Sequence, residues 1–190
     1  MQNPKTYLIN RILKFRRKRF LKFARSSNFE DQLPREDSQE NQRKGIEFEA
    51  FVVQRFDPTY FTLVEWRSDK NVNGIFPLMS KFPDLEFYFE SQSECCHFAI
   101  ECKWREHFYK ERIWLDQFQL DNYNHYQQVT GYQTFVLLGV GNLPSSPTHV
   151  YILRLSDIKT HKLHENYIEK YRRHHPHDSF FLDCKSGELR

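Results

Sequence analysis

The chain has 190 residues, of which 28 are Lys or Arg and 25 are Asp or Glu, for a formal net charge of +3. Its 18 Phe and 10 Tyr supply bulky core material for a domain of ordinary size, which excludes uniform disorder and collagen-like or mucin-like chains. No apolar run approaches the ~20 residues that span a bilayer.

The charge is unevenly placed. Residues 1–29 hold nine basic side chains and no acid, leaving the rest of the chain at −6. Within that arm, residues 5–25 follow a helical period, with Leu8, Ile9, Ile12, Leu13, Phe20 and Phe23 on a stripe that Arg16 and Arg19 interrupt. Its densest basic run is Arg16, Arg17, Lys18 and Arg19. Such an arm suits nucleic-acid phosphates, an anionic membrane surface met peripherally through residues 5–25, or organelle targeting, and equally a solvated tail; these readings stay open. Residues 26–43 read as a polar linker, so the chain divides into an arm and linker (1–43) and a body (44–190).

The body opens with a predicted helix over 44–56, stopped by Asp57-Pro58. A strand follows at 61–67, then a polar loop around Gly74. Two further strands, 82–90 and 97–104, are joined through Ser91-Gln92-Ser93-Glu94 as a hairpin. A long helix is predicted over 107–130 with Gly131 as its stop, then strands at 134–140 and 149–155, and a last helix over 157–173 capped by Ser156-Asp157. Strands interleaved with helices predict an α/β (α+β) fold around a mixed sheet. The four cysteines, Cys95, Cys96, Cys102 and Cys184, form no C-x-x-C pair, and vicinal thiols make poor disulfides. They are expected to be reduced, in an intracellular and cytoplasmic protein.

Acids at positions where the pattern demands burial carry the functional signal. On the first helix, Glu49 shares a face with Val52, Val53 and Phe56, whereas Glu47 points away. Strand alternation puts Phe98, Ile100 and Cys102 on one face and Ala99, Glu101 and Lys103 on the other. The hairpin brings Asp84, after Pro83, alongside the Glu101 end of its partner. Two close carboxylates repel unless a cation lies between them, and hard oxygen ligands that leave room for water suit Mg²⁺. A neighbouring lysine adds charge stabilisation at phosphorus. By contrast, Asp157-x-Lys159 has no Pro-Asp partner, and the histidines at 161, 164, 174, 175 and 177 lack companions at metal-ligand spacing. Trp66, Trp104 and Trp114 read as core or rim packing, with base stacking as the alternative.

Gly45-x-x-Phe48-Glu49, Pro83-Asp84 and Glu101-x-Lys103, in consecutive elements, resemble the PD-(D/E)xK nuclease superfamily over residues 44–140. The flavour is that of Holliday-junction resolvases and methyl-directed restriction endonucleases. The resemblance implies a restriction-endonuclease-like core in the order α-β-β-β-α-β and a metal-dependent endonuclease acting on nucleic acid, DNA foremost. It implies Mg²⁺, with Mn²⁺ able to substitute, held by Asp84, Glu101 and the backbone carbonyl of Cys102. Lys103 takes the place of the catalytic lysine, and Glu49 that of a first-helix acid acting through water or a second ion. A helical glutamine is also implied: Gln119, with Gln127 and Gln128 as rivals. Homodimers occur in the family. Two other readings stand beside this one: a non-catalytic nucleic-acid-binding module of the same fold, and a membrane-surface or interaction protein working through its arm.

Overall fold

Strands that are apolar on both faces must be covered on both faces, and the predicted strands at 134–140 and 149–155 are of this kind. The computed structural model describes residues 37–67 and 81–190. The helix expected over 5–25, its basic run at 16–19 and the loop at Gly74 lie outside those residues. In chain order the elements are α1 (Asp37–Val53), β1 (Phe61–Trp66), β2 (Leu85–Glu90), β3 (Cys95–Arg105), β4 (Arg112–Trp114), α2 (Gln117–Thr130), β5 (Gln133–Val140), β6 (His149–Arg154), β7 (Lys162–His164), α3 (Glu165–Ile168), β8 (Leu182–Asp183) and β9 (Glu188–Leu189).

The five longer strands form one sheet in the order β1-β2-β3-β5-β6. The first three are an antiparallel meander; α2 then crosses over so that β5 runs parallel to β3, and β6 returns antiparallel. On one face, Phe48, Phe51 and Val52 of α1 pack with Phe87, Phe98, Ile100, Phe135 and Leu137. On the other, Leu115, Leu120 and Tyr123 pack with Val136, Leu138, Val140 and Leu153. The result is a mixed α+β fold, a mixed central sheet flanked by helices, as the strand pattern predicts. Gly139 lets α1 lie flush on the sheet, since a Cβ there would fall 2.4 Å from the Phe48 ring.

Four expectations are corrected. Helix α1 starts at Asp37, inside the stretch read as linker, because Arg43 bridges Glu40 and Glu47 while Lys44 also reaches Glu40, supports that an apolar pattern does not register. The helix expected over 107–130 begins only at Gln117, where the Asp116 carboxylate accepts the Gln119 N–H at 3.0 Å. Ahead of it, Arg112-Ile113-Trp114 is a strand paired with β7. The last predicted helix is replaced by 3₁₀ turns at Leu155–Asp157 and Glu169–Tyr171, β7 and the four-residue α3, whose cap is His164 rather than Ser156. Finally, Cys96 and Cys184 are joined by a disulfide across a sequence separation of 88, which overturns the expectation of four reduced cysteines. Cys95 is exposed and free, and Cys102 is buried and free.

Candidate active site

The β2–β3 register fixes where the candidate acids stand. The ladder closes with Glu90 opposite Cys95 and ends with Leu85 opposite Ile100. Continued one step, it sets Asp84 opposite Glu101; a second step sets Pro83 opposite Cys102. Proline has no N–H, so the rung at Cys102 is missing one bond. The bond lost is the one a proline N–H would have given the Cys102 carbonyl, while the Cys102 N–H donates to Asp84 Oδ2 at 2.8 Å. A strand residue points its N–H and C=O to the same neighbour, so the Cys102 carbonyl opens toward the Pro83-Asp84 segment, which offers it no proline N–H.

Glu101 lies on the same strand, 2% exposed, with Lys103 Nζ 2.5 Å from its Oε1. Its other oxygen, Oε2, is buried and has no hydrogen-bond partner among the described residues. Across the sheet edge, α1 presents Glu49, buried as its helical face predicts, with Oε2 accepting from Trp66 Nε1 at 2.5 Å. Burial, then the Glu101 and Glu49 carboxylates, pushes Asp84 well above the ordinary carboxylate range, against the pull of Lys103 and of the Cys102 N–H. Burial opposes the charge on Lys103, but Glu101 and Asp84 outweigh it and raise its pKa, so the lysine remains an ammonium. Burial followed by the same carboxylates pushes the Cys102 thiol up, leaving it protonated and inert.

These features bear on whether the residues suit a divalent cation. A carboxylate oxygen left unpaired in the interior is costly, and three mutually repelling acids are costlier. A hard cation relieves both. Among the described residues no three His, Cys, Asp or Glu side chains are gathered as a ready-made cage. A site of one or two carboxylates, a carbonyl and several waters is the kind that Mg²⁺ accepts.

Gln119 stands in the first turn of α2, half-buried, its backbone N–H donating to the Asp116 cap. Among the described contacts its side chain is not joined to Asp84, Glu101 or Lys103. Of its rivals, Gln127 accepts the Thr134 N–H at 2.8 Å and so serves the start of β5, while Gln128 is exposed. Asn122, buried on α2 with an unpaired Nδ2, is a polar group that pattern reasoning passed over. Asp157 and Lys159 make local turn contacts only among the described bonds, with the Asp157 carbonyl taken by Tyr167 and Lys159 bonding the Ser156 carbonyl.

Sequence reasoning also missed Arg67. Its backbone N–H donates to the Asp84 carbonyl at 2.7 Å, and its guanidinium donates to the Pro83 carbonyl at 2.9 Å and to Glu86 Oε2 at 2.5 Å. Tyr126 Oη donates to the same Glu86 oxygen at 2.9 Å, and the Phe82 ring lies 5.4 Å beneath the guanidinium. Three donations from one residue thus hold the peptide segment that carries Asp84. The sequence signal was Glu86, an acid in the interior of the strand Leu85–Glu90.

No protein-family model matches the chain, and no curated protein matches it in sequence. Among solved structures it is similar to Hjc, a Holliday junction resolvase from the archaeal hyperthermophile Archaeoglobus fulgidus, at 14% identity and a TM-score of 0.47, over 65% of this chain and 91% of that one. The fold class stands on the sheet order and its two covered faces.

Proposed function

We propose that this chain is a nuclease that hydrolyses phosphodiester bonds of nucleic acid, DNA foremost, with a divalent cation. The observation that carries the reading is the convergence of Asp84, Glu101 and Lys103 on adjoining strand ends, with a buried Glu101 oxygen left unpaired. Asp84, Glu101 and the Cys102 carbonyl would hold Mg²⁺ or Mn²⁺, with Glu49 behind them. Such an ion supplies Lewis-acid stabilisation of a phosphoryl oxygen and a more acidic water. The chain supplies the rest. The Cys102 N–H and the Arg67 clamp orient the Asp84 carboxylate and its segment. Glu101 keeps the Lys103 ammonium in place, where it faces charge developing on phosphorus as water adds and the bond to the 3′ oxygen breaks. Held protonated, Lys103 acts as a fixed cation and not as a general base. A 5′-phosphate and a 3′-hydroxyl are the products expected from the resemblance.

The test is cleavage of single-stranded, duplex and branched DNA, and of RNA, by the purified full chain with Mg²⁺ or Mn²⁺ and with EDTA. Metal-dependent cleavage that disappears in Glu101→Ala and in Lys103→Ala is expected. Failure to cut any substrate, or activity surviving both substitutions, overturns the reading. The reading to be distinguished from it is a non-catalytic nucleic-acid-binding module of the same fold. Binding that is untouched by Asp84→Ala, without cleavage, selects it.

A further inference from the structure

The β4–β7 ribbon has a surface that the proposed chemistry does not use. Ile113 and Leu163 face inward at 2% and 0% exposure, and their neighbours in sequence therefore face outward. Cross-strand partners share a face, so the pairings order the outer residues into rows. Tyr109, Arg112 and His164 make one row, and Trp114 and Lys162 the next. Trp114 is 46% exposed and Tyr109 61%. A lysine accompanies each ring: Lys162 stands 4.6 Å from the Trp114 centroid and Lys110 stands 5.4 Å from that of Tyr109.

Folding does not require this composition. The inward row already anchors the ribbon to the core, and the exposed parts of Trp114 and Tyr109 add no burial to it. The tip is built at a cost as well: Lys110 and Glu111 both take positive φ, of 49° and 59°, between reciprocal Tyr109–Arg112 backbone bonds. A two-residue turn of that hand favours Asn or Gly. On the outer face Glu111 lies 3.3 Å from His164 Nε2 at the tip, and Arg112 and Lys162 place two positive charges along the rows.

The ribbon is also tied to the candidate active site. Arg105 lies two residues beyond Lys103 on β3, on the same face, and its guanidinium reaches the Trp114 carbonyl at 3.5 Å. Beyond Trp114, Leu115 donates to the His161 carbonyl at 2.8 Å, closing the ribbon's base.

From these rows we infer that the β4–β7 ribbon is a binding surface for a single-stranded segment of nucleic acid, whose unpaired bases stack on Trp114 and Tyr109 while Arg112 and Lys162 take its phosphates. The alternation of exposed ring and cation is what such a strand requires: a base offers a π face at every nucleotide, and each phosphate adds a charge. A duplex hides its bases and cannot use the rings. The inference deepens the nuclease reading by naming its substrate as one with unpaired nucleotides close to the cut, and it rests on that reading for the second half alone.

The experiment measures binding without cleavage. Fluorescence anisotropy of the full chain in EDTA is recorded with a labelled mixed-sequence DNA single strand and with the blunt duplex of the same sequence. Trp114→Ala is expected to weaken single-strand binding about ten-fold, the order of loss when a base loses its aromatic partner, and to change duplex binding little. Trp114→Phe should restore most of it. Arg112→Ala and Lys162→Ala should each lower the dependence of log affinity on log salt by ~0.7, one phosphate's share on a single strand. Thermal melts of each variant confirm folding, and Lys162→Gln provides a second conservative probe of the same row. Single-strand binding by Trp114→Ala equal to wild type, or equal losses on strand and duplex, overturns the inference. Because no metal is present, a chain that binds strands through the ribbon yet never cuts refutes the nuclease reading only; one that cuts while ribbon variants bind normally refutes this inference only.

Discussion

Asp84 and Glu101 sit close together, and their repulsion falls on Asp84. Its carboxyl is held well above the ordinary 3.8 by burial and then by Glu101 and Glu49. The folded chain thus keeps a proton that the unfolded chain has already lost. Stability from this group is full below the unfolded value and falls as pH rises through the raised one. In EDTA, Asp84→Asn is therefore expected to melt higher than wild type at neutral pH, with the gap closing toward pH 4. Cleavage should be lost in the same variant, a trade of activity for stability common at functional sites. Melts of both proteins from pH 4 to 8 check the sign; a variant less stable than wild type at pH 7 would refute it. Arg67 argues in the other direction. Its guanidinium is the partner of a buried Glu86, so Arg67→Ala leaves a carboxylate stranded beside the Tyr126 hydroxyl. A loss of about 3–5 kcal/mol in urea unfolding is expected, recovered in large part by the double replacement Arg67→Met with Glu86→Leu. Only the single variant's stability reports the pair; the double variant's cleavage reports how far the clamp matters to Asp84.

At the scale of elements, the interface between α1 and the sheet depends on one missing side chain. Gly139→Ala would drive a methyl into the Phe48 ring, and overpacking of this kind costs about 1–3 kcal/mol. Phe48→Leu in the same chain should return part of that loss, measured as the midpoint of urea unfolding; additive losses would mean the two do not meet. The same elements show what a sequence can and cannot disclose. The long strands were legible because their rows are apolar and their turns polar, and the Pro-Asp and Glu-x-Lys pairs were legible because charge is conspicuous in such company. The ribbon was not. Arg112-Ile113-Trp114-Leu115 alternates over too few residues to outvote the helical spacing that continues into α2, and the decision belongs to Leu163, distant in sequence, which lies opposite Ile113. Asp116 was the local clue to the true helix start, readable as an N-cap only once the strand before it is recognised. Arg67 and Trp66 were invisible for a related reason: each acts on a partner in another element, and neither spacing nor residue type announces such contacts.

Across the whole molecule, closure comes from the C-terminus. Phe180, Leu182 and Leu189 join the α1 side of the core, and the β8–β9 hairpin between them carries Cys184 to Cys96, next to the first pair of the β2–β3 ladder. Alternation along β3 explains why Cys96 bonds while its neighbour does not: Cys96 turns toward that core, whereas Cys95 is exposed. The bond ties the last segment to the strand that bears Glu101 and Lys103, and its covalent loop takes in most of β3, then β4, α2, β5, β6, β7 and α3. A loop of this size restricts the unfolded chain strongly, so Cys184→Ser, or reduction of the wild-type chain, is expected to cost about 2–4 kcal/mol, read as a lower melting temperature. The site itself should tolerate the change, because Asp84, Glu101 and Lys103 stand beyond the opposite end of the ladder from Cys96 and are held there by the Cys102 N–H and Arg67. Metal-dependent cleavage below the melting transition should therefore match wild type in the reduced chain. Equal melting temperatures with and without reductant would show that the bond does not form in the folded protein; equal stability loss with cleavage abolished at 25 °C would show that the C-terminal hairpin, and not the ladder alone, sets the spacing of the two carboxylates.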